Sequence, residues 1–291
     1  MAVLVPQLTS VSRRSSVPDY QSNAFVSGFN MTVLSTTTLA VGPGAARSFG
    51  NDGVISYPND LSFANPYLVA DITLVGAGGC FPSAISDMTL TNNTVFGVYV
   101  IENSGGTTGG SLNPTVSPAL VIATGDNFLP QGFDSFRRVG LVYISSSTNL
   151  ILPWIQTGNG SEKTYLFQDI VNALSAGNST VASSIDLTVG NGVIAPGLSA
   201  NLFLGINFTA DAAGDYASIW PTNYLFNVAA PVSIVNPAAN TLGLTASMVS
   251  GNTGTYPFAG NASIDYLVAS ADDSLTINVI GLVDSLGNNL F

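Results

Sequence analysis

The chain has 291 residues, 46% of them apolar and only 8% charged, with six Lys+Arg against seventeen Asp+Glu and a net charge of −11; about 25% charged residues is usual for a soluble domain. It holds no histidine, one cysteine (Cys80) and one lysine (Lys163). That excludes Ser-His-Asp and Cys-His catalysis, zinc sites on His or paired Cys, and a Gly-Lys-Ser/Thr phosphate loop. Too few and too scattered basic residues remain to displace counterions from phosphates, so nucleic acid is not an expected partner.

Mean hydropathy is +0.40, yet no stretch offers the roughly 20 unbroken apolar residues of a membrane span. The long uncharged run Tyr20 to Ala46 is broken throughout by Ser, Asn, Thr, Gly and Pro. Residues 1–30 begin MAVLVPQLTSVSRR, with arginines after the apolar part, the reverse of a secretory leader. With Pro6, Pro18 and Gly28 and no helical or strand period, this segment is expected to be an extended anchoring arm.

From residue 31 the pattern is short β-branched strands between Gly and Asn turns: MTVLSTTTLAV (31–41), PYLVADITLVG (66–76) and VFGVYVI (95–101). FRRVGLVYISSS (136–147) and NLILPWIQ (149–156) read as a hairpin, with Pro153 at an edge. Residues 158–163 read as a linker. Beyond it, Ile170, Val171 and Leu174 before Gly177 predict one short helix. Strands resume at 184–189, 201–210, 224–229, 232–235, 241–249, 263–270 and 274–284, the last in plain period two. The expected fold is all-β: two β-sandwich or jelly-roll-like domains, residues 31–157 and 164–291, behind the arm.

Few residues invite a chemical role. Six N-x-Ser/Thr sequons among 26 Asn match the chance expectation when about a fifth of residues are Ser or Thr. Cys80 reads as a small buried apolar residue. The carboxylate pairs Asp211/Asp215 and Asp272/Asp273, and Glu102 and Glu162, are the candidates for histidine-free glycoside hydrolysis. They read better as turn residues, and no enzymatic activity is expected. Calcium, which needs only oxygens, is the one cofactor the loops Asn51-Asp52-Gly53 and Asn59-Asp60 could hold, although none has EF-hand spacing.

Arg137-Arg138 carries more information. Adjacent strand residues face opposite sides, so one guanidinium should point inward and be paired, since an uncompensated buried charge is costly. Asp134 and Asp126 are the nearest carboxylates, and alternation from Val139 makes Arg137 the inward member. For a carbohydrate-binding module, Trp154, Trp220, Tyr224 and Tyr256 are the candidate glycan contacts, against a core role for each.

Three blocks together resemble a loosely defined group of tailed-bacteriophage virion proteins: Val75-Gly76-Ala77-Gly78-Gly79, Val95–Ile101, and Leu129-Pro130-Gln131-Gly132-Phe133-Asp134-Ser135-Phe136-Arg137-Arg138-Val139-Gly140 with the following Leu152–Gly160 run. They span about residues 68–160. In that group Leu-Asp-Thr-Gly follows the double glycine, whereas Cys80-Phe81-Pro82-Ser83 stands here, so the role of that loop does not transfer. The resemblance implies a viral structural protein located in the virion, on its exterior: a tail or head fibre, a capsid decoration or a collar part. Other virion proteins and copies of itself, as a homotrimer, are its expected partners. A jelly-roll coat protein forming the shell and a module binding host-surface glycan are the alternatives.

Overall fold

The computed structural model describes residues 26–48, 53–57, 67–90, 94–103, 118–123, 129–158, 162–186, 200–221, 232–235, 246–249 and 263–285. Among them there is no α-helix, and none that is long and apolar enough to cross a membrane. The all-β expectation holds.

Among the described residues, eight strands lie in the C-terminal half: β12 (Glu162–Gly177), β13 (Ser183–Asp186), β14 (Ala200–Thr209), β15 (Tyr216–Pro221), β16 (Val232–Val235), β17 (Ala246–Val249), β18 (Ser263–Val268) and β19 (Ser274–Ser285). They form two antiparallel sheets of order β12-β19-β14-β17 and β13-β18-β15-β16. Counted from β12, that is 1-8-3-6 facing 2-7-4-5, the strand order of a jelly roll. Burial follows the alternation that two facing sheets demand. Leu275, Ile277 and Val279 point inward, as do Ile206 and Phe208, and Ala217, Ile219, Ile264 and Val268 come from the opposite sheet, while Thr276 and Asn278 are half-exposed.

The N-terminal half adds β1 (Val26–Gly28), β2 (Met31–Val33), β3 (Thr38–Val41), β4 (Gly44–Arg47), β5 (Val54–Tyr57), β6 (Leu68–Asp71), β7 (Gly79–Phe81), β8 (Thr94–Glu102), β9 (Ala119–Ala123), β10 (Ser135–Ile144) and β11 (Trp154–Thr157). Two three-stranded sheets, β1-β4-β5 and β2-β3-β6, accompany a four-stranded sheet β10-β8-β9-β7 in which only the β7–β9 pair is parallel. β8 and β10 are buried along almost their whole length, on both faces, as expected of a sheet covered from two sides. Phe136, Arg138, Leu141 and Tyr143 of β10 share one face, and Tyr143 stacks on Phe167 of β12 with ring centroids 4.8 Å apart.

Four expectations change. The helix placed over 170–177 is part of β12. Its register against β19 shifts three times, between Leu166 and Val171, Asn172 and Leu174, and Leu174 and Gly177. Such bulges break period two and leave apolar residues at spacings that mimic a helix. The hairpin after β10 is short, closed by the Ile144–Ile151 bridge with the Ser145 N–H to Leu150 carbonyl and Leu152 N–H to Tyr143 carbonyl bonds; after Pro153 the chain leaves to pair β11 with β12. The linker expected at 158–163 overlaps β12, and a continuous core runs from Val26 to Leu282 across it. Of the arm, residues 1–25 lie outside the described residues, while 26–28 are β1 and Phe29 is wholly buried.

Candidate functional site

The bulge in β10 organises the charged interior. Arg138 opposes Tyr99 of β8 and Gly140 opposes Val98, which leaves Val139 as the extra residue with its carbonyl freed from the ladder. The ammonium of Lys163, at the start of β12, donates to that carbonyl at 2.7 Å and to the Phe29 carbonyl at 2.6 Å. Phe29 sits at φ +52, a left-handed conformation that bulky residues rarely adopt. Its own N–H is held by Pro43 O at 2.9 Å. Gly140 is glycine because a Cβ there would run into the Met31 side chain and the Tyr165 hydroxyl.

Directly opposite Lys163 in the β12–β19 register stands Asp284. Arg138 grips its carboxylate with both terminal nitrogens, Nη1 to Oδ2 at 2.9 Å and Nη2 to Oδ1 at 2.8 Å. Arg138 is 4% exposed, Lys163 and Asp284 0%. This fork-to-fork geometry is the strong form of the ion pair. Burial lowers Lys163 from its ordinary 10.5 to about 7, against the pull of Asp284. Burial likewise pushes the Asp284 carboxyl up, against Arg138 and Lys163. Four segments separated in sequence (Phe29, Arg138-Val139, Lys163 and Asp284) thus meet at one buried junction.

The expected ion pair is therefore corrected in its partner and its face. Arg137 and Arg138 do lie on opposite faces of β10, but both faces are covered and each residue is 4% exposed. Arg138 pairs with Asp284, 146 positions away, whereas Asp134 is exposed and Asp126 lies outside the described residues. Arg137 opposes Val100, with buried Glu102 two positions further along β8. Burial and neighbouring Arg138 lower its affinity for a proton.

The aromatic candidates are placed differently from a glycan platform. Trp154 is 8% exposed and meets Tyr165 edge-on at 6.2 Å, and Trp220 is 6% exposed, so neither ring is presented to solvent. Tyr224 and Tyr256 lie outside the described residues, as do Asn51-Asp52 and Asn59-Asp60 of the calcium loops. Cys80 is wholly buried, its thiol pushed up to about 12 by desolvation. Among the carboxylates considered for hydrolysis, Glu162 and Asp272 are exposed and apart, while Asp211, Asp215 and Asp273 converge.

No family model matches the chain, and no curated protein matches it. Among solved structures, the infectious bursal disease virus VP2 subviral particle is similar over 95% of this chain and 76% of that one, at 14% identity and a TM-score of 0.24. The structure of the Gx strain of infectious bursal disease virus gives 94% and 76%, 15% identity and a TM-score of 0.22.

Proposed function

We propose that the chain is a non-enzymatic structural protein of a virion, which assembles with copies of itself and with other particle proteins. The observation that carries this reading is where the charge goes. Every described cation (Arg47, Arg137, Arg138 and Lys163) is at most 7% exposed, so these groups serve the fold rather than a substrate. The three blocks resembling tailed-phage virion proteins support it from the sequence, two of them lying on or beside β8, β10 and β11. The surface for self-contact is the outer face of the five-stranded sheet β11-β12-β19-β14-β17. One row across that face runs Ile155, Leu166, Gly281, Phe203, with Ile155 54% and Leu166 40% exposed. It is apolar, flat at the glycine and free of charge, the composition of an interface core.

The resemblance favours the particle exterior, as a fibre, decoration or collar component. One observation favours the second reading, a shell-forming coat protein: the complete jelly-roll strand order of β12–β19, an architecture that viral capsid domains use, though lectins and cupins use it too. Peptide mass spectrometry of gradient-purified particles tests both. Presence at a fixed ratio below that of the shell protein supports the exterior role, and presence as the most abundant protein supports the shell. Absence from particles, with the chain found only in lysate, overturns the proposal.

A further inference from the structure

We propose that Ala2-Val3-Leu4-Val5 of one copy seats on the row Ile155, Leu166, Gly281, Phe203 of a neighbouring copy. This rests on the reading of that row as a self-contact surface, and names what covers it. Among the described residues the row offers three apolar side chains, Ile155, Leu166 and Phe203, on the two sides of a glycine. Two such rows laid face to face would bury far less than the roughly 800 Å² and 20–30 residues per partner of a stable interface. Residues 1–25 lie outside the described residues, and a segment of that length supplies about the number of residues that one side of a standard interface needs.

The two match in length and chemistry. The row crosses β11, β12, β19 and β14, about 14 Å over three strand spacings, and four extended residues span about 13 Å. Ala2 to Val5 is an unbroken apolar tetrad, ended by Pro6. Gly281 keeps the middle of the row low, so another backbone can approach there. The chain also reaches its first described residue beside this row. Gln156, next to Ile155 on β11, accepts the Met31 N–H at 3.1 Å and donates to the Asn30 side chain at 3.3 Å. Val26 precedes Asn30 by four residues, at most about 14 Å of chain. The 25 residues before it extend up to about 80 Å. Their own five-stranded sheet is only about 20 Å wide, so they reach a neighbour's.

Charge selects the neighbour as the destination. Residues 1–25 hold two of the six cations, Arg13 and Arg14, and one of the seventeen acids, Asp19; the rest of the chain holds four cations against sixteen acids, a net −12. Those four cations are at most 7% exposed. Copies of this body therefore meet as like charges and repel, and Arg13 and Arg14 are the only cations left to bridge them. Glu162 is exposed and shares a face of β12 with Leu166, four residues along the strand. It sets a carboxylate beside the row for that pair.

The experiment is disulfide trapping between two full-length variants, Leu4→Cys and Leu166→Cys, co-expressed, purified together and briefly oxidised, with linked peptides identified by mass spectrometry. Cys80 is wholly buried and does not compete. Each chain carries one introduced thiol, so a 4–166 link forms only between copies, and it is the main product expected. A main 166–166 link, from rows meeting face to face, overturns the proposal, as does a main 4–4 link or no link at all. Sedimentation of the full chain carrying Val3→Ser, Leu4→Ser and Val5→Ser is the second readout. Alternate side chains of an extended segment face opposite ways, so two of the four meet the row. Self-association should weaken roughly 100-fold, about tenfold for each side chain withdrawn, with Tm unchanged. Association at wild-type strength overturns the proposal and leaves the self-contact reading standing, whereas a wild-type monomer removes both.

Discussion

Lys163 and Asp284 stand opposite each other on neighbouring strands, yet they answer to different partners: Lys163 to two carbonyls, Asp284 to Arg138. Removing the carboxylate strands a buried guanidinium. Asp284→Ala should therefore cost roughly 3–5 kcal/mol, whereas Asp134→Ala, at an exposed position, should cost under about 1 kcal/mol; urea melts of the two variants compare them directly. Lys163 makes a pH prediction of definite sign. Its pKa is about 7 in the fold against an ordinary 10.5, so between those values the unfolded chain holds the proton that the folded chain has lost. Stability contributed by this group must then rise with pH from about 7 towards 10, by up to about 1.4 kcal/mol per pH unit. Tyr99 and Tyr165, whose phenols burial pushes up, stay neutral through that window. Subtracting the profile of Lys163→Met from that of the wild type isolates the slope. A flat difference would mean that Lys163 stays charged in the fold.

Among the elements, β19 is the spine, since it pairs with β12 on one side and β14 on the other. Gly281 on it faces the Tyr165 carbonyl so closely that a Cβ would collide with backbone, while a Cβ at Gly205 on β14 would meet nothing closer than the Ile280 side chain at 3.4 Å. Gly281→Ala should cost about 1–3 kcal/mol through strain, and Gly205→Ala well under 1 kcal/mol, again read from denaturant melts. β19 also marks how much of the fold was legible in the sequence. Its inward Leu275, Ile277 and Val279 alternate without interruption, so period two found it. β12 was hidden because three bulges scatter its apolar residues into helix-like spacing. The charges follow the same divide. That one of Arg137 and Arg138 must be buried and paired follows from local alternation, but the bulge at Val139 and the cover on both faces upset the choice between them. Asp284 was unreadable as a partner because only the return of the last strand to β12 brings it within reach. The same closure joins Asp211 with Asp273, which local reading treats as two separate turns.

At the scale of the whole molecule, the jelly roll and the N-terminal sheets share one core and one buried ion pair across residues 158–163. Calorimetry of the full chain should therefore show a single unfolding transition with calorimetric and van't Hoff enthalpies in agreement; two resolved transitions would restore independent halves. The proposed assembly role rests on described cations that are spent inside and on an apolar row across the outer sheet. Sedimentation velocity of the purified protein at micromolar concentration tests it most directly, alongside Ile155→Asp/Leu166→Asp. The account predicts a trimer or larger species for the wild type, and a monomer with an unchanged melting temperature for the double variant. A monodisperse wild-type monomer would contradict it.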